Sequence, residues 1–122
     1  MRFLIIDDDP AYRKLATILL EDGGHSVAST AGMEEALQAA RQERFDVILL
    51  DMHLRGVTGF QVVDKLQQDS HAAGTPIIGL TAAVVGASEQ QRALEAGFQT
   101  FLTKPVTKVE FRNLLEELNR HR

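Results

Sequence analysis

Short β-rich runs at residues 3–6, 26–28, 47–50, 76–80 and 100–102 alternate with longer stretches whose apolar residues recur every three or four positions. This alternation is what most constrains the fold. Runs such as Val47-Ile48-Leu49-Leu50 are apolar on both faces, so each strand needs cover on both sides, which helices between parallel strands supply. One helix face is marked by Ala11, Leu15 and Ile18, a second by Phe60, Val63 and Leu66, and a third by Phe111, Leu114, Leu115 and Leu118. Asp9-Pro10 reads as an N-cap followed by proline in the first turn. Thr58 with Gln61, Ser88 with Gln91, and Thr107 with Glu110 have capping-box spacing. Gly23-Gly24 and Gly97 are stop signals. The pattern predicts an α/β fold: a doubly wound, five-stranded parallel sheet with five helices, as one domain over residues 1–122. In the fourth helix only Ala93 and Leu94 stand out as anchors, and small residues between Thr81 and Ser88 suggest mobility before it.

The composition narrows the partners. A net charge of -4 gives no general attraction to nucleic acid or acidic lipid. The absence of cysteine excludes disulfides and thiolate metal sites. No signal-peptide core follows Met1, and no apolar run reaches membrane-span length, so a reducing cytoplasm is the expected setting.

In an open α/β sheet, ligands bind beyond the carboxyl ends of the strands. The predicted strands are followed in turn by Asp7-Asp8-Asp9, Ser29-Thr30, Asp51, Thr81 and Thr103-Lys104-Pro105. Clustered carboxylates raise one another's pKa unless a cation joins them, and hard oxygen ligands suit Mg²⁺. Lysine and a threonine hydroxyl nearby suit phosphoryl oxygens. There is no P-loop and no dinucleotide turn. What remains is metal-assisted phosphoryl transfer onto a protein carboxylate. Asp9 reads better as a helix cap than as a ligand. The histidines at 25, 53, 71 and 121, and Arg112, Arg120 and Arg122, read as surface residues.

The segments FLIIDDDP (3–10), FDVILLDMHLRGVTGF (45–60), PIIGLTA (76–82) and FLTKPV (101–106), in that order and each at a strand end, resemble the receiver domain of two-component response regulators over essentially the whole chain. The resemblance implies a flavodoxin-like sheet in the order 2-1-3-4-5. It implies that Asp51 is the phosphoacceptor and that Asp7, Asp8, Asp51 and the backbone carbonyl of His53 hold Mg²⁺, for which Mn²⁺ can substitute. Thr81 and Phe101 would be switch residues and Lys104 the cation on the phosphoryl group. A histidine kinase or phosphotransfer domain would be the donor. The face of the fourth helix, fifth strand and fifth helix would contact a downstream protein, with no direct binding to nucleic acid or membrane. Beyond transfer from phosphodonors and self-dephosphorylation, no enzymatic activity is expected.

Three positions depart from the family pattern. Arg55 stands where proline is usual, which predicts a looser loop after the third strand. Ala83 leaves no polar side chain two residues after Thr81, and Phe101 replaces a frequent tyrosine. Two rival readings are weighed. A haloacid-dehalogenase-like phosphatase would use D-x-D-x-T; Asp7 and Asp9 fit, but position 11 is alanine. A receiver-like module that is never phosphorylated would not need the full set of Asp7, Asp8, Asp51, Thr81 and Lys104.

Overall fold

The computed structural model describes residues 1–69, 71–82 and 86–120. Five parallel strands form the sheet: β1 (Arg2–Ile6), β2 (Ser26–Thr30), β3 (Val47–Asp51), β6 (Ile77–Thr81) and β7 (Thr100–Thr103). Their order, β2-β1-β3-β6-β7, is the predicted 2-1-3-4-5 once the short pair β4 (His53–Leu54) and β5 (Val57–Thr58) is set aside. The helices are α1 (Pro10–Asp22), α2 (Met33–Gln42), α3 (Gly59–Gln68), α4 (Ala87–Ala96) and α5 (Lys108–Arg120).

Strand residues alternate between two cores. Leu4, Ile6, Ile48 and Leu50 pack with Leu37, Val62, Val63, Leu66 and Ala93 of α2, α3 and α4. Phe3, Ile5, Leu49, Ile78 and Leu80 pack on the opposite face with Tyr12, Ala16 and Leu20 of α1 and Phe111, Leu114 and Leu118 of α5. Each large apolar side chain so buried contributes about 1.5–3 kcal/mol. The register pairs Ile6 with Leu50 and Asp51 with Leu80, bringing the carboxyl ends of β1, β3 and β6 to one edge.

Most punctuation behaves as the sequence suggests. Asp9 accepts from the Ala11 N–H at 3.0 Å. Thr58 and Gln61 form a reciprocal capping box, and so do Thr107 and Glu110. Gly97 ends α4 at φ 119°, where a Cβ would also collide with the Gln67 side chain.

Several expectations are corrected. In α1 the period is right but the phase is not: Leu15 and Ile18 are 44% and 54% exposed, and the face on the sheet is Tyr12, Ala16 and Leu20. Ser88 is no cap, because α4 starts at Ala87 behind Gly86, with no side-chain cap bond. Leu94 is 50% exposed, so Ala93 alone anchors α4 as expected. His25 is half-buried, with its ring edge-on to Phe3 and Nδ1 3.0 Å from the Met1 nitrogen. Ala83, the rest of the small-residue stretch at 83–85, His121 and Arg122 lie outside the described residues.

Candidate functional site

The site is assembled where four strands, β1, β3, β6 and β7, end. Asp7 follows β1, its N–H bonded to Thr30 O at 3.1 Å, and it is fully buried. Its Oδ1 accepts from the Asp9 N–H at 2.9 Å, and its carbonyl accepts from Arg13 Nη1 at 2.6 Å. Asp51 closes β3, 8% exposed, with Oδ1 accepting from the His53 N–H at 3.0 Å. Lys104 follows β7, its N–H held by Thr81 O at 2.7 Å. From there its ammonium donates to Asp7 Oδ2 at 2.5 Å and to Asp51 Oδ2 at 3.1 Å. Thr81, the last residue of β6, is buried beside them. Asp8 is partly buried and accepts from the Arg55 N–H at 3.0 Å.

Asp7, Asp8 and Asp51 each offer an oxygen within 4.8 Å of the others, forming the candidate metal cluster among the described residues. Burial pushes the Asp7 carboxyl above its usual range; the Asp51 charge adds to this, against the opposing pull of Lys104 and the Asp9 N–H. Burial by itself would lower the Lys104 pKa, but its hydrogen bonds to Asp7 and Asp51 more than offset that and raise it. Three carboxylates face one part-buried ammonium and the exposed Arg55 guanidinium 3.9 Å from Asp8, which leaves an excess of negative charge. An all-oxygen donor set with that excess fits a hard divalent cation such as Mg²⁺.

The structure therefore brings Asp7, Asp8, Asp51, Thr81 and Lys104 to one edge, and the His53 backbone reaches it through its N–H on Asp51. Asp9 is committed to the α1 cap, so the D-x-D pair of the phosphatase reading does not converge. Phe101 lies half-buried on β7, stacked on Phe98 at 5.3 Å. Phe98 meets Phe60 edge-on at 5.8 Å, and the Arg92 guanidinium lies 4.5 Å over the Phe60 ring.

Two residues near the site were not singled out from the sequence. Gly79 in β6 leaves room for Phe101, since a Cβ there would stand 2.4 Å from the ring. A glycine inside an otherwise apolar strand was the available signal, because such glycines mark close approach. Tyr12 lies beneath Lys104, with Nζ 4.4 Å from the ring centroid. It was hidden by the misplaced phase of α1.

The comparisons agree with this chemistry. The model of the response regulator receiver domain matches residues 3–116. The sensory/regulatory protein RpfC of Xanthomonas campestris is 36% identical over 121 residues, 97% of this chain. The chain spans 12% to 16% of the length of the first sensor proteins it matches. Among solved structures, the chemotaxis protein CheY4 of Vibrio cholerae superposes with TM-score 0.89 at 30% identity, covering 96% of this chain and 97% of that one. The receiver domain of a Pseudomonas aeruginosa sensor histidine kinase, with magnesium coordinated in its active-site cleft, superposes with TM-score 0.84 at 26% identity, covering 96% and 95%. With the strand order, the acidic edge and these relatives in accord, the chain belongs to the response regulator receiver domain family, the phosphoacceptor signalling domains of two-component systems.

Proposed function

We propose that residues 1–122 act as one receiver unit in which Asp51 accepts a phosphoryl group from the phosphohistidine of a histidine kinase or phosphotransfer domain. The observation that carries this is the Lys104 ammonium bridging Asp7 Oδ2 and Asp51 Oδ2 at a strand-end edge. An Asp51 oxygen attacks phosphorus, the phosphorus–nitrogen bond breaks, and the imidazole leaves with the electron pair. His53 N–H holds Oδ1 of Asp51 and so fixes the carboxylate plane. Lys104 and the Thr81 hydroxyl stabilise the transferred oxygens. Asp7, Asp8, Asp51 and the His53 carbonyl would hold Mg²⁺ or Mn²⁺, which supplies charge neutralisation at the phosphoryl oxygens when bound.

The aspartyl phosphate then biases Thr81 and Phe101, and with them the face of α4, β7 and α5. On that face β7 is the free sheet edge, and beside it Thr100, Leu102, Asn113 and Leu114 line an open groove of about 450 Å³; a downstream protein docks there. No helix among the described residues is long and apolar enough to cross a membrane, and the setting of this reading is the cytoplasm.

Acetyl phosphate with Mg²⁺ should label wild type on Asp51, and Mn²⁺ should support the same reaction. Asp51→Asn should fold normally and take no label, since the amide is nearly isosteric but a poor nucleophile. Label that persists on Asp7 or Asp9, or turnover of a generic phosphomonoester, would defeat the assignment and restore the phosphatase reading.

A further inference from the structure

We infer that Tyr12 is a positioning residue: its ring is the seat that keeps the Lys104 ammonium in the site while the carboxylate partners of that ammonium change. The inference rests on the proposed phosphoacceptor role of Asp51. Two of the three N–H bonds of Lys104 point at Asp7 and Asp51. Esterification of Asp51 replaces one of these partners with phosphoryl oxygens in a different position, and a cation at the acidic edge would compete for the other. A lysine on a flexible four-carbon stem has to redirect its N–H bonds as these partners change without leaving the site.

The Tyr12 ring does not change in either event. It lies 4.4 Å below Nζ, within the roughly 6 Å over which a ring face attracts a cation. A ring face is also tolerant of ammonium rotation, so Lys104 can redirect its N–H bonds while staying seated. The seat is rigid: Tyr12 is 9% exposed, packed in the α1–α5 core. It is also one residue from Arg13, which ties α1 to the Asp7 carbonyl. Asp9 caps the same helix immediately after the acidic pair. Seat and carboxylates therefore belong to one unit.

The contact with Lys104 is made by the ring and not by the hydroxyl: Nζ lies over the ring, while the hydroxyl, raised in pKa by burial, faces the backbone of Val106, which opposes that rise.

The test compares Tyr12→Phe, which keeps the face, with Tyr12→Leu, which keeps an apolar side chain only. ¹⁵N NMR of the Lys104 ammonium, without metal and again with saturating Mg²⁺, reads its order and the exchange of its protons with water. Without metal, where Asp7 and Asp51 both hold it, the three proteins should match; with Mg²⁺, wild type and Tyr12→Phe should keep an ordered, slowly exchanging ammonium, and Tyr12→Leu should show a disordered, fast-exchanging one. Labelling by acetyl phosphate should be rescued by Phe and about tenfold slower in Leu, the scale of a desolvated ring–cation contact. Tyr12→Met replaces Leu if the latter does not fold. A folded Leu or Met variant with the wild-type ammonium signature under Mg²⁺ and the wild-type labelling rate overturns the inference. If wild type itself takes no label on Asp51, the phosphoacceptor reading fails, and the ammonium comparison still decides whether Tyr12 holds Lys104.

Discussion

Arg55 shows how a single residue can act through its backbone and not through the group that defines it. Its side chain is 96% exposed, with Nε 3.9 Å from Asp8 Oδ2; an ion pair so solvated contributes little. Its N–H, by contrast, donates to the same carboxylate oxygen at 3.0 Å. The loop around Arg55 holds a two-residue turn between β4 and β5, with Gly56 at φ 77°, the left-handed conformation a type II turn needs at its second central position. Proline at 55 would remove the donor. Arg55→Pro should therefore destabilise the protein by about 1 kcal/mol in chemical denaturation, and Arg55→Ala should stay within about 0.5 kcal/mol of wild type. A stabilised proline variant would show that the Asp8 contact does not matter. The acidic edge itself was legible from sequence because its chemistry lies in side chains: Asp7, Asp8, Asp51, Thr81 and Lys104 announce themselves by type and position. The Arg55–Asp8 and His53–Asp51 bonds were not, since every residue but proline carries the same N–H.

Among the secondary elements, what could be read was periodicity, and what was lost was phase. In α1, Leu15 and Ile18 are more apolar than Tyr12 and Ala16, so hydrophobicity alone chose the wrong stripe. The sheet accepts Ala16 because a small residue lets the helix lie close, and Tyr12 because its ring meets Lys104. Ser88 misled in the same way: it has the spacing of a cap, but Gly86 precedes α4 and Ser88 falls inside the helix. The contact between β6 and β7 had only a glycine inside an apolar strand to mark it, because it depends on an atom that is absent. Gly79 pairs with Phe101 across the two strands and leaves the space its ring fills, with the Met52 sulfur 3.1 Å from where a Cβ would stand. Gly79→Ala should drive the ring outward and disturb the stack of Phe101, Phe98 and Phe60. The expected cost is about 1–3 kcal/mol, as for other overpacked cores, with the Phe101 ring resonances displaced in NMR spectra. Unchanged ring signals and stability would show that Phe101 already spends its time out of the groove.

For the whole molecule, the central tension is that the fold buries charge at its functional edge. The sheet and its two cores hold Asp7 with no exposure, in a cluster of three carboxylates, so the site works against the stability of the metal-free protein. The sign follows from Asp7, whose carboxyl is raised above its ordinary value of 3.8, first by burial and then by the charge of Asp51, despite Lys104 and the Asp9 N–H. Between 3.8 and its raised folded value the folded chain binds more protons at this group than the unfolded chain. Its contribution to stability is full below 3.8 and is lost as pH rises through the folded value. Metal-free Asp7→Asn should accordingly melt above wild type at neutral pH, and the difference should shrink as pH falls toward 3.8. Mg²⁺ should reverse the order, because it binds the folded edge and not the unfolded chain. At a hundredfold excess over its Kd it adds about 2.7 kcal/mol to wild type and far less to Asp7→Asn, which has lost a ligand oxygen. Calorimetric scans of both proteins across pH, with and without Mg²⁺, check each limb. A variant that melts below wild type at neutral pH without metal would mean that the bond from Lys104 to Asp7 outweighs the burial of its charge. The acidic edge would then be a net support of the fold before any cation arrives.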